Sequence, residues 1–459
     1  MVSDRQLTGM SRDTGGTSRR RFLTASGTLL GGLAAGTSVA AAESEDRFIV
    51  DVAGVDWDAL TSEVEVLHDL REIDAAVVRG HSADLERVTT EFAPDTSYEL
   101  DLPHEADVPA EPTDESATDE PLYPFQWDKQ AQGVPSAHEV TRGDGTRVAV
   151  IDTGVDPAHP DLADAVNEDL SRNFAGDDGD FRDIGYHGTH VSGIVAASDE
   201  NETGIVGTAP GTDLVALRVF GGPTAGFGSI LAAITYSVSV GCDVANLSLG
   251  SYPVAREELG EFYGKFLNRT TTYANSEGTL LVAAAGNDAA DLQHDKNLIS
   301  LPNEAAQVMS VSATSTVGFD PTTGERDEPA WTPATYTNYG TNAIDMSAPG
   351  GDIPPGGDVP DLVLSTIPTY FPFPDTYAYL GGTSMAAPQV AGAAALVKSA
   401  NPGYNANQIQ SALERAAVDR GRNGRDPYHG RGFLDTAGAV TGDTPGKGNG
   451  NGRGNGKGH

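Results

Sequence analysis

The 459-residue chain contains one cysteine, Cys242, so no disulfide can form within it. Cys242 precedes the apolar run Val244 to Leu249, which marks it as a small buried hydrophobe rather than a reactive thiol. Basic residues are scarce: 29 Lys and Arg stand against 66 Asp and Glu, only six of the 29 are Lys, and the net charge is -37. Such a surface repels nucleic acid and anionic membranes, so neither is expected as a partner. No run of about 20 apolar residues follows the N-terminal region, so no membrane anchor is expected. Strand- and helix-period apolar runs are present, and they exclude a disordered acidic protein. The length allows one large core plus accessory segments.

Three short runs carry chemistry. Ser384 sits in Gly381-Gly382-Thr383-Ser384-Met385-Ala386-Ala387-Pro388, ahead of an apolar stretch to Ser399. Small residues leave its hydroxyl open at the start of a helix, where unpaired N–H groups and the dipole favour negative charge. A serine there can attack a carbonyl and stabilise the oxyanion with its own N–H. The attack needs a base to take the serine proton, and a carboxylate must hold that base's tautomer. Val148-Ala149-Val150-Ile151-Asp152-Thr153-Gly154 supplies an acid, and His187-Gly188-Thr189-His190-Val191-Ser192-Gly193 supplies an imidazole.

Other readings of the same residues remain open at this point. Asp152-Thr153-Gly154 is also an aspartic-peptidase signature, but its only repeat is Asp13-Thr14-Gly15 near the N-terminus. His187 and His190 form a helical pair without the H-E-x-x-H glutamate of a zinc site. The order Ser384, Asp419, His429 fits an α/β-hydrolase but leaves the Asp152 and His187 runs unexplained.

In the order Asp152, His187, Ser384, the three runs resemble the subtilisin-like serine peptidases, over roughly residues 123–440. The resemblance implies a secreted endopeptidase acting on proteins or peptides through an acyl-enzyme. It gives Ser384 the nucleophile's role, His187 the base's and Asp152 the orienting one. Asn287, ending the strand-like run Leu280-Leu281-Val282-Ala283-Ala284-Ala285-Gly286-Asn287, matches the family's oxyanion donor. Ser248, Leu249 and Gly250 match the segment that pairs with an extended substrate. No cofactor is implied for catalysis. A structural calcium is implied at Asp161 and Asn201, with carbonyls near Thr203 and Ile205. The acidic, Lys-poor composition resembles that of secreted halophilic subtilases of the halolysin type. The rival from another class is a non-catalytic binding protein on the same fold.

The chain divides into five expected segments. Residues 1–42 resemble a twin-arginine export signal, with Ser18-Arg19-Arg20-Arg21-Phe22-Leu23, a mild apolar stretch from Ala25 to Val39 and small residues at Ala40-Ala41-Ala42. Residues 43–104 read as a small α+β unit, with strands at Arg47–Val52, Ala75–Val78 and Tyr98–Leu102 and helices at Asp56–Val64 and Ser82–Phe92, the last capped by Ser82. Ahead of a subtilase, such a unit resembles the family's propeptide, which aids folding and inhibits; an unrelated binding domain is the alternative. Residues 105–122 read as an exposed acidic, Pro-rich linker holding the maturation cut. Residues 123–440 alternate strand and helix runs. The strands are Arg147–Ile151, Leu214–Val219, Val244–Leu249, Leu280–Ala284 and Val308–Ser312. The helices are His187–Ala197, Gly228–Val240 and Ser384–Ser399. Together they make an α/β fold with an open, mostly parallel sheet and helices on both faces. Pro253–Ser276 reads as a helical excursion containing a weak glycosylation sequon at Asn268. Residues 441–459 are a Gly/Asn-rich tail expected to be disordered. A monomer is expected.

Overall fold

The computed structural model describes residues 46–99, 104–106, 118, 120–255, 259–295, 297–371, 375–422 and 424–442. The export-signal reading and all but the first two tail residues fall outside them.

Five apolar runs form the centre of one sheet. Asp213–Arg218, Arg147–Asp152, Val244–Leu247, Leu280–Ala284 and Val308–Val317 lie side by side and parallel. Met346–Pro349 extends the sheet in parallel beyond Val308–Val317, and Glu328–Pro333 pairs antiparallel with that strand. A strand covered on both faces reads as a continuous apolar run, because both sets of alternating side chains are buried. Val148 and Val150 join the core beneath the helices His187–Ala196, Thr383–Ala400 and Ala406–Ala416. Ala149 and Ile151 join the opposite core, beneath Phe227–Ser239 and Leu259–Glu277. The doubly covered parallel sheet is the expected α/β fold. Among the described residues no helix is long and apolar enough to cross a membrane.

The segment read as an excursion is a strand, Ser251–Ala255, paired with Leu298–Leu301, then the 19-residue helix Leu259–Glu277. Asn268 lies within that helix, and the Thr270 hydroxyl of its sequon is buried and donates to Phe266 O (2.8 Å). Cys242 is buried as expected, and burial pushes its thiol up to about 12.

The N-terminal unit is a four-stranded antiparallel sheet in the order Glu65–Leu70, Ala75–Arg79, Arg47–Asp51, Phe92–Pro94. Phe48, Val50, Ala76 and Val78 pack on its own helices through Leu60 and Leu85. Ile49, Ala75, Val77 and Ala93 belong instead to the core shared with Phe227–Ser239 and Leu259–Glu277. Charge reinforces this junction. Asp51 pairs across it with Lys265 and with Arg269 (3.3 Å), while Arg47, paired within the unit to Asp95 (2.6 Å), donates across it to Ser229 Oγ (2.8 Å). Asp95 also accepts the Gly228 N–H (2.8 Å) at the start of a helix, where a carboxylate is favoured.

Two expectations for this region need correction. The helix over Ser82–Phe92 is a single turn, Ser82–Leu85, whose cap position is His81 without a side-chain bond. Phe92 instead opens an edge strand, because pairing with Arg47–Asp51 buries Ala93 on the sheet. The stretch read as a contact-free linker is also engaged at both ends. His104–Ala106 pairs with Tyr379–Gly381, and Glu120 and Leu122 are buried.

A buried polar cluster ties the start of the large unit to its interior. Lys129 donates to Ile194 O (2.9 Å), Thr208 Oγ1 (2.8 Å) and Gln389 Oε1 (2.6 Å). Asp128 lies 3.5 Å from the ammonium and accepts from Gln389 Nε2 (2.7 Å). Burial pushes the Lys129 ammonium down to about 8, against the pull of Asp128. The cluster thereby links helices His187–Ala196 and Thr383–Ala400. Lys129→Met leaves the Asp128 carboxylate buried without its cation and should cost about 3–5 kcal/mol. Adding Asp128→Asn should recover much of that loss in urea unfolding. A single variant as stable as the parent would show that the ammonium does not hold these helices together.

Candidate active site

Parallel sheets place their sites beyond the C-terminal ends of the strands, where loops are free to diverge. Asp152 is the last residue of Arg147–Asp152, and Ser248 follows Val244–Leu247. Asn287 comes three residues after Leu280–Ala284. His187 and Ser384 open the two helices on one face, at the first and second positions.

Asp152 and His187 are fully buried, with Asp152 Oδ1 2.7 Å from His187 Nδ1. A carboxylate only accepts, so Nδ1 carries the proton and Nε2 is left with the lone pair. Asp152 Oδ1 also accepts the Thr153 N–H (2.7 Å). The glycines of the two runs pack against each other. A Cβ on Gly188 would lie 2.1 Å from Gly154 O, and one on Gly154 would lie 2.6 Å from Phe181 O. Gly154 also has φ +112, so the D-T-G and H-G-T-H runs need glycine for contact as well as conformation.

Ser384 is 4% exposed. Its hydroxyl donates to Ser248 O (3.2 Å), while Ser248 Oγ donates to Ser384 O (2.7 Å). Among the described residues His187 Nε2 has no hydrogen-bond partner, so the bond from Ser384 to His187 is not made in this form. Such bonds commonly tighten only when substrate arrives.

Asn287 is held through its carbonyl end. Its Oδ1 accepts the Thr383 N–H (2.9 Å) and the Thr383 hydroxyl (2.8 Å), and Thr383 Oγ1 accepts the Gly286 N–H (3.1 Å). That fixes which end of the amide is carbonyl and which is NH2. Gly286 has φ +100, and a Cβ there would meet Asn338 Nδ2 at 2.4 Å. Asn338 braces the same turn, accepting from Asp288 N (3.0 Å) and Ala290 N (2.9 Å). Leu249 is buried and Gly250 half-buried beside Ser248. Ser97–Glu99 of the N-terminal unit pairs antiparallel with Thr224–Gly226, and His104–Ala106 pairs with the strand that leads into Ser384.

The competing readings of these residues come apart. His190 does not join His187 at a shared site: its Nε2 bonds Ala378 O (3.1 Å), and burial pushes its ring down to about 3. His429 bonds Ser347 Oγ (2.8 Å), not Ser384.

Asp161 and Asn201 do meet, with a third group the sequence reading left in the linker. Glu120 accepts N–H groups from Thr203 (2.7 Å), Asn201 and Glu202 (both 3.2 Å). Asp161 accepts from Asn201 Nδ2 (3.0 Å) and Ile205 N (3.1 Å). Burial pushes Glu120 up to about 7, helped by the charge of Asp161, and pushes Asp161 up to about 6. Among the described residues no three Asp, Glu, His or Cys groups cluster at metal distance. The donor set is all oxygen and suits a hard cation, with loop carbonyls needed to complete the six to eight ligands calcium takes.

Residues 143–432 match the model of the Subtilase family. The chain is 36% identical over 319 residues to the thermophilic serine proteinase of Bacillus sp. (strain AK1), covering 69% of this chain and 67% of that protein. It is 33% identical over 316 residues to thermitase of Thermoactinomyces vulgaris, covering 69% and 95%. The fold also matches the epidermin leader peptide processing serine protease of Staphylococcus aureus, with TM-score 0.68 at 21% identity over 87% of this chain and 98% of that one. With the family model spanning most of the chain, and relatives above 30% identity over two thirds of it, this protein belongs to the subtilase family and is a subtilisin-like serine protease.

Proposed function

We propose that the chain is a secreted endopeptidase made as a zymogen, with Ser384 as nucleophile, His187 as general base and Asp152 as its orienting acid. One observation carries the assignment: a buried carboxylate 2.7 Å from His187 Nδ1, with Nε2 unpartnered among the described residues, on a helix packed against the one whose first turn holds Ser384. Ser384 Oγ turns from Ser248 O toward His187 Nε2 and attacks the peptide carbonyl while Nε2 takes its proton. The oxyanion is held by the Ser384 N–H and the Asn287 NH2. His187 returns the proton to the leaving amine, and water repeats the sequence on the acyl-enzyme. Ser248, Leu249 and Gly250 line the approach for an extended protein or peptide substrate. A serine-reactive fluorophosphonate should label Ser384 in the mature enzyme; labelling at any other residue would sink the assignment.

The unit that ends in Ser97–Glu99 is consistent with an inhibitory and folding-assisting propeptide, with His104–Ala106 opening the chain that follows it. Ser97–Glu99 is held on Thr224–Gly226, and His104–Ala106 is held on Tyr379–Gly381, the strand that leads into Ser384. The maturation cut is therefore expected between Glu99 and His104, ahead of the 105–122 stretch. Export by the twin-arginine route and halophilic adaptation rest on the Arg19-Arg20 pair and the charge of -37. A calcium ion is proposed at Glu120, Asp161 and Asn201, where it would relieve two buried carboxylates.

Three outcomes check this reading. Asn287→Leu should lower kcat by about 10²–10³ with little change in KM; a loss confined to KM would reassign Asn287 to substrate binding. Ser384→Ala should accumulate as a folded precursor that active enzyme trims in trans, and the new N-terminus, read by Edman sequencing, should begin between Leu100 and His104. A first cut within 107–121 would contradict the alignment across the site.

The third outcome concerns calcium. The Glu120 and Asp161 carboxyls are raised in the folded state from ordinary values of 4.5 and 3.8 to about 7 and 6. Without a cation they contribute stability at low pH that is lost as pH rises through those values. A cation competes with the protons. The calcium-induced rise in Tm should be larger at about pH 8 than at about pH 5.5. Glu120→Gln should shrink the rise at the higher pH. Equal increments at both pH values would count against the site.

A further inference from the structure

Asp183 is 3% exposed and lies four residues before His187. Its two oxygens accept four hydrogen bonds. Oδ1 takes the Thr153 hydroxyl (2.7 Å) and the Gly185 N–H (2.8 Å). Oδ2 takes the Thr189 N–H (2.7 Å) and the Thr189 hydroxyl (2.6 Å). An ionised carboxylate has about four acceptor positions, so this one is saturated. Burial pushes its carboxyl up, and all four bonds oppose that shift.

The donors come from the two segments that must meet. Thr153 follows Asp152 at the end of its strand. Thr189 lies in the first turn of the His187 helix. The links continue outward: Gly188 N–H donates to Thr153 Oγ1 (2.8 Å), Asp156 N–H donates to Thr189 Oγ1 (3.0 Å), and Ile184 N–H donates to Thr153 O (3.2 Å). The Asp152–His187 contact is a single 2.7 Å bond, and nothing in that bond itself fixes where the two backbones stand. We propose that Asp183 is a positioning residue: its carboxylate, through Thr153 and Thr189, locks the Asp152 turn against the His187 helix and so sets the Asp152–His187 geometry. The inference rests on the proposed roles of Asp152 and His187. It identifies Asp183, rather than packing alone, as what holds them in register.

No acceptor other than a carboxylate of this length meets four donors here. Asparagine would turn an NH2 group onto at least one N–H or O–H donor, leaving buried polar groups unsatisfied. Thr153 gives a test that changes no charge. Thr153→Val keeps shape but removes the hydroxyl, and Thr153→Ser keeps the hydroxyl but removes the methyl.

The experiment measures kcat, KM, Tm and the downfield proton resonance of the Asp152–His187 hydrogen bond in Asp183→Asn, Thr153→Val and Thr153→Ser. Each is normalised by active-site titration, and His187→Ala is run in parallel. Asp183→Asn and Thr153→Val should lower kcat about ten- to a hundredfold, with KM nearly unchanged and the downfield proton shifted or broadened, because small misplacement of a catalytic group costs rate steeply. Thr153→Ser should restore kcat to near the parent value. Should Asp183→Asn fail to fold, Thr153→Val decides. Full kcat in Thr153→Val, or equal loss in Thr153→Ser, would overturn the positioning role even if Tm falls. Retained activity in His187→Ala would instead overturn the assignment of the base.

Discussion

The helix Thr383–Ala400 runs through the interior with Thr383 to Val397 buried, and the geometry of the molecule follows from that burial. It packs on several strands of the parallel sheet, on the His187 helix and on Ala406–Ala416. A helix surrounded on all sides must be apolar and small all round, and T-S-M-A-A-P-Q-V-A-G-A-A-A-L-V meets that demand with alanine and glycine. Its N-terminus therefore emerges at one fixed place, beyond the ends of the strands. Ser384 inherits that position, with no freedom to move that does not disturb the core.

Burial that deep requires each polar group to find a partner, because an unsatisfied one costs more than a made bond returns. The chain answers with hubs. Gln389, near the middle of the helix, joins Lys129, Gln132 and Asp128. Thr383, at its start, joins Asn287 and Gly286. Asp183 joins the strand that ends in Asp152 to the helix that begins at His187. The Thr383 and Asp183 hubs each sit between two elements that carry site residues, and the Gln389 hub reaches the His187 helix through Lys129 and Ile194 O. The same bonds that make the interior polar groups tolerable also set the distances on which the chemistry depends.

The N-terminal unit meets the larger one through a shared apolar core edged with charge. In a chain with 29 basic residues against 66 acidic ones, Arg47, Lys265 and Arg269 are spent on this junction. Ion pairs near a surface weaken as salt rises, while apolar burial does not. The junction therefore combines a salt-tolerant contact with salt-sensitive ones.

The sequence by itself determined the parts that local rules specify. Continuous apolar runs marked five parallel strands, since both faces of each are buried. Small residues around Asp152, His187 and Ser384 marked sharp turns, and the structure brings Asp152 and His187 to 2.7 Å. The tertiary structure alone decided the rest. Glu120 read as linker because nothing near it in sequence is a partner; its donors, Asn201 to Thr203, lie some eighty residues away. A strand near Tyr98 was legible, but its pairing with Thr224–Gly226 was not, and His104–Ala106 is a three-residue strand whose register depends on Tyr379–Gly381. The expected helix at Ser82–Phe92 lost to pairing with Arg47–Asp51, a contact that propensity cannot see. Asp183 belongs to none of the motifs that the sequence offers. It becomes a hub only once the chain closes water out around four donors on Thr153, Gly185 and Thr189.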